Sequence, residues 1–169
     1  MEPVFVYSTL VIFGQLLLAA FLGMLLGTER SVIADKRAGT RTYALVSLGA
    51  CLFSIVSIKV TSDYLGLINF DPMRVAAGII TGIGFLGAGL IIFKDNTLQG
   101  LTTAAGLWVS AGVGIAVAYG LFAIAIFTTL LTLVIFTVLW SVENKLQFLS
   151  DARSRLRFVN SREENEPHD

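Results

Sequence analysis

The chain has 169 residues, 55% hydrophobic and 14% charged, with 12 basic and 12 acidic side chains and a mean hydropathy of +0.78. That balance leaves little material for a separate soluble domain and predicts an all-α integral membrane protein of five transmembrane helices. One cysteine, Cys51, excludes an intrachain disulfide and reads as a small helix-packing residue.

Span one is expected over Val4 to Leu26. Met1-Glu2-Pro3 puts no basic region ahead of it, so it reads as an uncleaved span rather than a signal peptide. Glu29 and Arg30 follow the apolar run directly. A charge at that depth is costly unless paired or facing a wet cavity, so Glu29 is expected to be held by Arg41 or by Arg30 of a neighbouring chain. The bland alternative is an interfacial ion-pair network fixing the helix ends; the functional one is a binding surface for an anionic or protein partner, with Lys36 also in that segment.

Span two is expected from about Thr42 to Val60, and span three from Met73 to Phe93. Asp71 is a good N-cap and Pro72 sits where its missing N–H costs nothing, so span three starts sharply. Five glycines, Gly78, Gly82, Gly84, Gly87 and Gly89, fall within twelve residues of it. Gly78-x-x-x-Gly82 is a small-xxx-small contact face and Gly84 with Ala88 a second, which predicts a central helix packed on more than one side. Gly82-Ile83-Gly84-Phe85-Leu86-Gly87 also spells G-x-G-x-x-G, but it lacks the flanking βαβ context and the acidic residue downstream, so nucleotide binding is rejected. A third reading is a helix broken at its glycines, exposing carbonyls to an ion as in transporters.

Leu101 to Trp140 runs 40 residues without an Asp, Glu, Lys or Arg. That length fits two spans with a turn at Ala118-Tyr119-Gly120. Span four carries Gly106, Ser110 and Gly114 every four residues and is expected to pack on span three. Trp108 brings an N–H that seeks a partner away from the interface. Span five lacks glycine and reads as the lipid-facing helix. Residues 1–140 thus form the membrane domain. Residues 141–169 are expected to be a cytoplasmic basic amphipathic segment on anionic lipid, ending in a disordered acidic run.

Ten of the 12 basic residues fall in the first loop, at Lys94 or in the tail, leaving Lys59 and Arg74 opposite. The positive-inside rule therefore predicts an outer N-terminus and a cytoplasmic C-terminus. The acidic residues Glu29, Asp35, Asp63, Asp71 and Asp95 are scattered one to a segment, so no metal site and no cofactor is expected. There is no Walker loop, and the only histidine is His168 near the end, so no enzyme is expected.

Gly27-Thr28-Glu29-Arg30 with Lys36-Arg37-Ala38-Gly39-Thr40-Arg41-Thr42 and Leu45-Val46-x-Leu48-Gly49-Ala50 resembles the first signature of the bacterial MgtC/SapB membrane proteins. Asp71 to Ala77, the Gly82 to Gly89 run, and Gly100-Leu101-Thr102-Thr103-Ala104-Ala105 with Trp108 resemble the second and third. Two departures stand out: Gly78 replaces an expected glutamine, and only 29 residues follow the last span where many members carry a cytoplasmic ligand-binding-like domain. The resemblance implies a non-enzymatic, multi-pass inner-membrane protein of magnesium homeostasis and virulence, linked to magnesium limitation and survival inside host cells. It implies action through membrane partners, including the proton-translocating ATP synthase, and not magnesium transport by this chain. Partner- or ligand-binding candidates are Glu29, Arg30, Lys36, Arg41, Asp71 and Arg74; helix-packing candidates are Gly78, Gly82, Gly84, Gly87, Gly89 and Gly106. Contact between copies is a further possibility, nucleic acid is not expected, and the alternative function is a small transporter or channel with its site in span three.

Overall fold

The structure, a computed structural model, describes residues 2–33, 39–63, 71, 73–94, 97–138 and 141. Helix α1 runs Glu2–Thr28 and continues as a π-helical turn, Glu29–Ile33; α2 is Thr40–Asp63, α3 Met73–Leu90 and α4 Leu101–Ala118. Helix α5 is Phe122–Val138. Four of the five are long and apolar enough to cross a membrane, while α5 has 17 described residues. The tail expected to lie on lipid falls outside the described residues beyond Ser141, as do Asp35, Lys36 and Asp95.

Two local signals hold as read. Asp71 caps α3: its Oδ1 accepts from the Met73 N–H at 2.9 Å and its carbonyl from the Arg74 N–H at 3.1 Å. The turn between α4 and α5 falls at Tyr119-Gly120, with Gly120 at φ +73° in the left-handed region.

Span three ends three residues earlier than expected. After Leu90 the chain leaves the helix and forms an antiparallel hairpin, β1 (Ile92–Lys94) and β2 (Thr97–Gln99), pairing Ile92 with Gln99, Phe93 with Leu98 and Lys94 with Thr97. Thr97 Oγ1 donates to the Lys94 carbonyl at 2.8 Å and ties the turn. Gly100 then adopts φ +88°, and a Cβ there would collide with the Leu90 carbonyl oxygen. Glycine is required twice over, by conformation and by space. The all-α, five-helix architecture holds, with this short hairpin as its exception among the described residues.

The chain divides into two compact units, Met1–Leu133 and Val134–Asp169. Within the first, α2 and α4 are the inner helices: 50% of α4 is buried against 17% of α3. Ala19 and Leu22 of α1, Cys51 and Ile55 of α2, Val113 and Val117 of α4, and Ala125 of α5 form the main core. Lipid is as apolar as these side chains, so close van der Waals fit rather than water exclusion holds them together. Backbones meet where glycine permits it. A Cβ at Gly23 would stand 2.6 Å from the Tyr43 carbonyl oxygen and 2.7 Å from Ser47 Cβ, and one at Gly114 would overlap the Ser47 carbonyl. Helix α5 presents Phe122, Ile124, Phe127 and Leu130 outward, as a lipid-facing helix does.

The expectation that α3 is central is overturned. Gly78, Gly82, Gly84 and Gly89 have nothing within 4 Å of a Cβ position; Gly87 alone makes ordinary contact, 3.6 Å from Ala104 Cβ. Only Ala76, Ile83 and Gly87, one narrow stripe, are buried. The helix is also unbroken from Met73 to Leu90, so its glycines do not interrupt it.

Candidate functional site

The charged signature assembles at the end of the bundle where α1 stops and α2 and α4 begin. Gly27 makes this possible: a Cβ there would stand 2.7 Å from the Gly39 carbonyl oxygen and 2.7 Å from Thr40 Cα. The chain entering α2 therefore lies directly on the last turn of α1. Thr40 Oγ1 donates to Thr28 Oγ1 at 3.4 Å across the same contact, and Thr28 Oγ1 in turn donates to the Met24 carbonyl at 2.8 Å.

Beyond Thr28 the helix widens into its π turn. In an α-helix, adjacent side chains diverge and do not meet. Here they do: Arg30 Nε donates to Glu29 Oε2 and Arg30 Nη2 to Glu29 Oε1, the latter at 2.9 Å, giving a two-pronged ion pair. Such turns concentrate at functional sites. Both residues are buried, Glu29 at 5% and Arg30 at 4% exposure. Glu29 is thus paired with Arg30 of its own chain rather than with Arg41. Burial close to the membrane favours this solution, since an unpaired charge there is far more costly than a desolvated pair.

Tyr43 anchors the same end. Fully buried beside Leu26 and Leu107, it donates its hydroxyl to the Thr103 carbonyl at 2.8 Å, and its own carbonyl accepts from Ser110 Oγ at 2.9 Å. Two hydrogen bonds thereby pin α2 to α4 next to the end of α1. At the opposite end Gln15 Nε2 donates to the Val117 and Ala118 carbonyls at 3.0 and 3.2 Å, satisfying oxygens that the end of α4 leaves open. Sequence reasoning missed Gln15 and Tyr43, although a lone amide inside a charge-free run was a visible signal.

The six charged candidates therefore separate. Glu29 and Arg30 are together and sealed inside; Arg41 lies exposed at the same end; Asp71 and Arg74 are exposed at the far end; Lys36 is outside the described residues. Both oxygens of Glu29 are engaged by Arg30, and among the described residues no three His, Cys, Asp or Glu side chains gather as metal ligands. Of the glycine candidates, Gly106 is buried in α4, Gly87 touches α4, and the other four face outward.

Between α2 and α3 runs an apolar groove of about 820 Å³, lined by Gly49, Phe53 and Val56 on one wall and Gly78, Gly82 and Leu86 on the other. It opens where the α3 glycines leave the helix surface bare. Trp108 is also outward, 53% exposed on α4.

Residues 16–145 match the family described as MgtC family. The chain is 45% identical over 129 residues to an uncharacterized protein of Haemophilus influenzae, covering 74% of this chain and 54% of that one. It is 40% identical over 126 residues to the putative magnesium transporter YhiD of Escherichia coli, covering 73% and 58%. It is 43% identical over 119 residues to protein MgtC of Salmonella typhimurium, covering 70% and 48%. The chain thus spans about half the length of the curated relatives it matches. No solved structure matches it.

Proposed function

Because the chain belongs to the MgtC family, we propose that it is a non-enzymatic protein of the bacterial inner membrane that serves adaptation to magnesium limitation and survival inside host cells by binding other membrane proteins. The proton-translocating ATP synthase is the partner that the family resemblance implies. One observation carries the reading: α3 spends three glycines, Gly78, Gly82 and Gly89, on a face that the described residues leave empty, beside an apolar groove. Glycine weakens a helix by roughly 1 kcal/mol against alanine, and in lipid its compensating use is close approach of another helix. The buried Glu29–Arg30 pair fixes the end of the bundle rather than offering a charged surface; Arg41 is the exposed charge of that end. The uneven basic residues support an outer N-terminus and a cytoplasmic tail.

The name of the Escherichia coli relative favours a second reading, magnesium transport. That reading has to do without a broken α3, because the helix is continuous, and without a free Glu29 carboxylate. Purified protein in liposomes separates the two. Magnesium flux above that of empty liposomes supports transport. Absence of flux, with retention of a membrane complex on the tagged protein from cells grown in low magnesium, supports partner binding. If neither is seen and a deletion strain grows normally in low magnesium, the proposal fails.

A further inference from the structure

The β1–β2 hairpin is amphipathic on a scale of six residues. Directly paired residues of antiparallel strands project from the same face, so Phe93 and Leu98 form one wholly apolar face, 68% and 64% exposed, while Lys94, Thr97 and Gln99 lie with Ile92 on the other. Among the described residues nothing covers the apolar pair.

Helix length says what does. The charge-free part of α3, Val75 to Leu90, has 16 residues and spans about 24 Å; α4, with 18, spans about 27 Å. Each is only just long enough to cross the hydrocarbon layer, so the residues that follow α3 and precede α4 stand at its boundary. The sequence stays apolar past the helix end, through Ile91, Ile92 and Phe93, and returns through Leu98 and Leu101. The hairpin that joins the two helix ends thus stands at the edge of the hydrocarbon layer. It cannot lie in the hydrocarbon itself, where open strand edges are not tolerated. Nor is an isolated pair of three-residue strands stable in water by its own hydrogen bonds. The boundary between acyl chains and headgroups satisfies both conditions, wetting the edges and covering Phe93 and Leu98.

We propose that this hairpin is an interfacial anchor: its Phe93–Leu98 face inserts into the outer part of the acyl layer, and Lys94 on the other face reaches anionic headgroups. The ligand is a lipid surface. Lys94 lies at the same end of the bundle as the exposed Arg41, so the two face the same lipid surface.

The test uses the full chain in vesicles of phosphatidylcholine with phosphatidylglycerol. Spin labels are placed singly by Phe93→Cys, Leu98→Cys or Gln99→Cys in a Cys51→Ala background. Each labelled variant of the apolar pair keeps the other member native, so one loss of insertion cannot mimic the result for both. The expected outcome is that labels at 93 and 98 collide with dissolved oxygen several-fold more than with a water-soluble nickel chelate, and that the label at 99 shows the reverse. Replacing the native Lys94 by Glu should then make the label at 98 shallower in anionic vesicles and leave it unchanged in pure phosphatidylcholine. Nickel contact at 93 or 98 equal to that at 99 overturns the anchor, and it does so equally if shielding appears only in native membranes, where a protein would be the cover.

Discussion

Three glycines of α1 and α4 and four glycines of α3 look alike in the sequence and do opposite things in the structure. Gly23, Gly27 and Gly114 are each set against the backbone of another helix or of the segment entering it. Gly78, Gly82, Gly84 and Gly89 are crowded together and face open space. The difference teaches that glycine density does not locate the centre of a membrane bundle. What locates it is the partner backbone, and that information is spread over distant parts of the chain.

The sharpest way to break this comparison is to add volume on both sides of it. Gly114→Leu should prevent assembly, since even a Cβ overlaps the Ser47 carbonyl and the branched side chain has nowhere to go; a loss of more than about 3 kcal/mol is expected. Gly82→Leu should leave the isolated protein folded. Thermal aggregation in mild detergent, with membrane abundance on a blot, checks the pair. Equal damage from both substitutions would mean that α3 is packed after all.

Next in size is the ion pair. Glu29→Ala takes both carboxylate oxygens from a buried guanidinium and should cost about 3–5 kcal/mol, lowering abundance sharply. Arg41→Ala, at an exposed site on the same end, should leave abundance unchanged. If Glu29→Ala accumulates normally, the pair does not hold the π turn, and Glu29 returns as a candidate surface group. The double change Glu29→Ala with Arg30→Ala should recover part of the loss, because the buried guanidinium is removed together with its carboxylate.

Smaller effects come from the single hydrogen bonds. Tyr43→Phe deletes only the hydroxyl bonded to the Thr103 carbonyl, and Gln15→Leu only the amide on the last carbonyls of α4. Each should cost on the order of 1 kcal/mol. Reversible unfolding in mixed micelles resolves changes of that size. A loss above that of Glu29→Ala would place the stability of the bundle in these bonds instead.

What could be read from the sequence was whatever is encoded locally. Span positions follow from runs of apolar residues, the start of α3 from Asp71-Pro72, and the α4–α5 turn from Tyr119-Gly120. The hairpin was absorbed into span three, since Ile91-Ile92-Phe93 is as apolar as the helix before it, and hydropathy does not report when the backbone changes form. The π turn left no signal in the order of residues. The Glu29–Arg30 contact was read past for the same reason: neighbours in sequence do not meet on an α-helix, and only the wider turn brings them together. For α3 the error had another cause. A small-xxx-small pattern predicts close approach of some helix but is silent on whether that helix belongs to the same chain.

That silence sets the last effect, the one that is not expected to destabilise. Gly78→Ala with Gly82→Ala adds two methyl groups to open space, so it should leave stability in detergent unchanged or raised by up to about 2 kcal/mol, the helix preference of alanine over glycine at two positions. If the face serves only lipid, cells carrying the double variant should grow in low magnesium as the wild type does. If it receives another helix at close range, growth should fail while abundance stays normal, because each methyl holds the partner backbone away. The groove beside it sharpens the choice. Phe53→Ala widens the opposite wall without touching the glycine face. A partner seated against the glycines should tolerate that change better than the added methyls, whereas one seated deep in the groove should not. Normal growth of both variants would remove α3 from the binding surface and leave the exposed Trp108 face of α4 to be tested in its place.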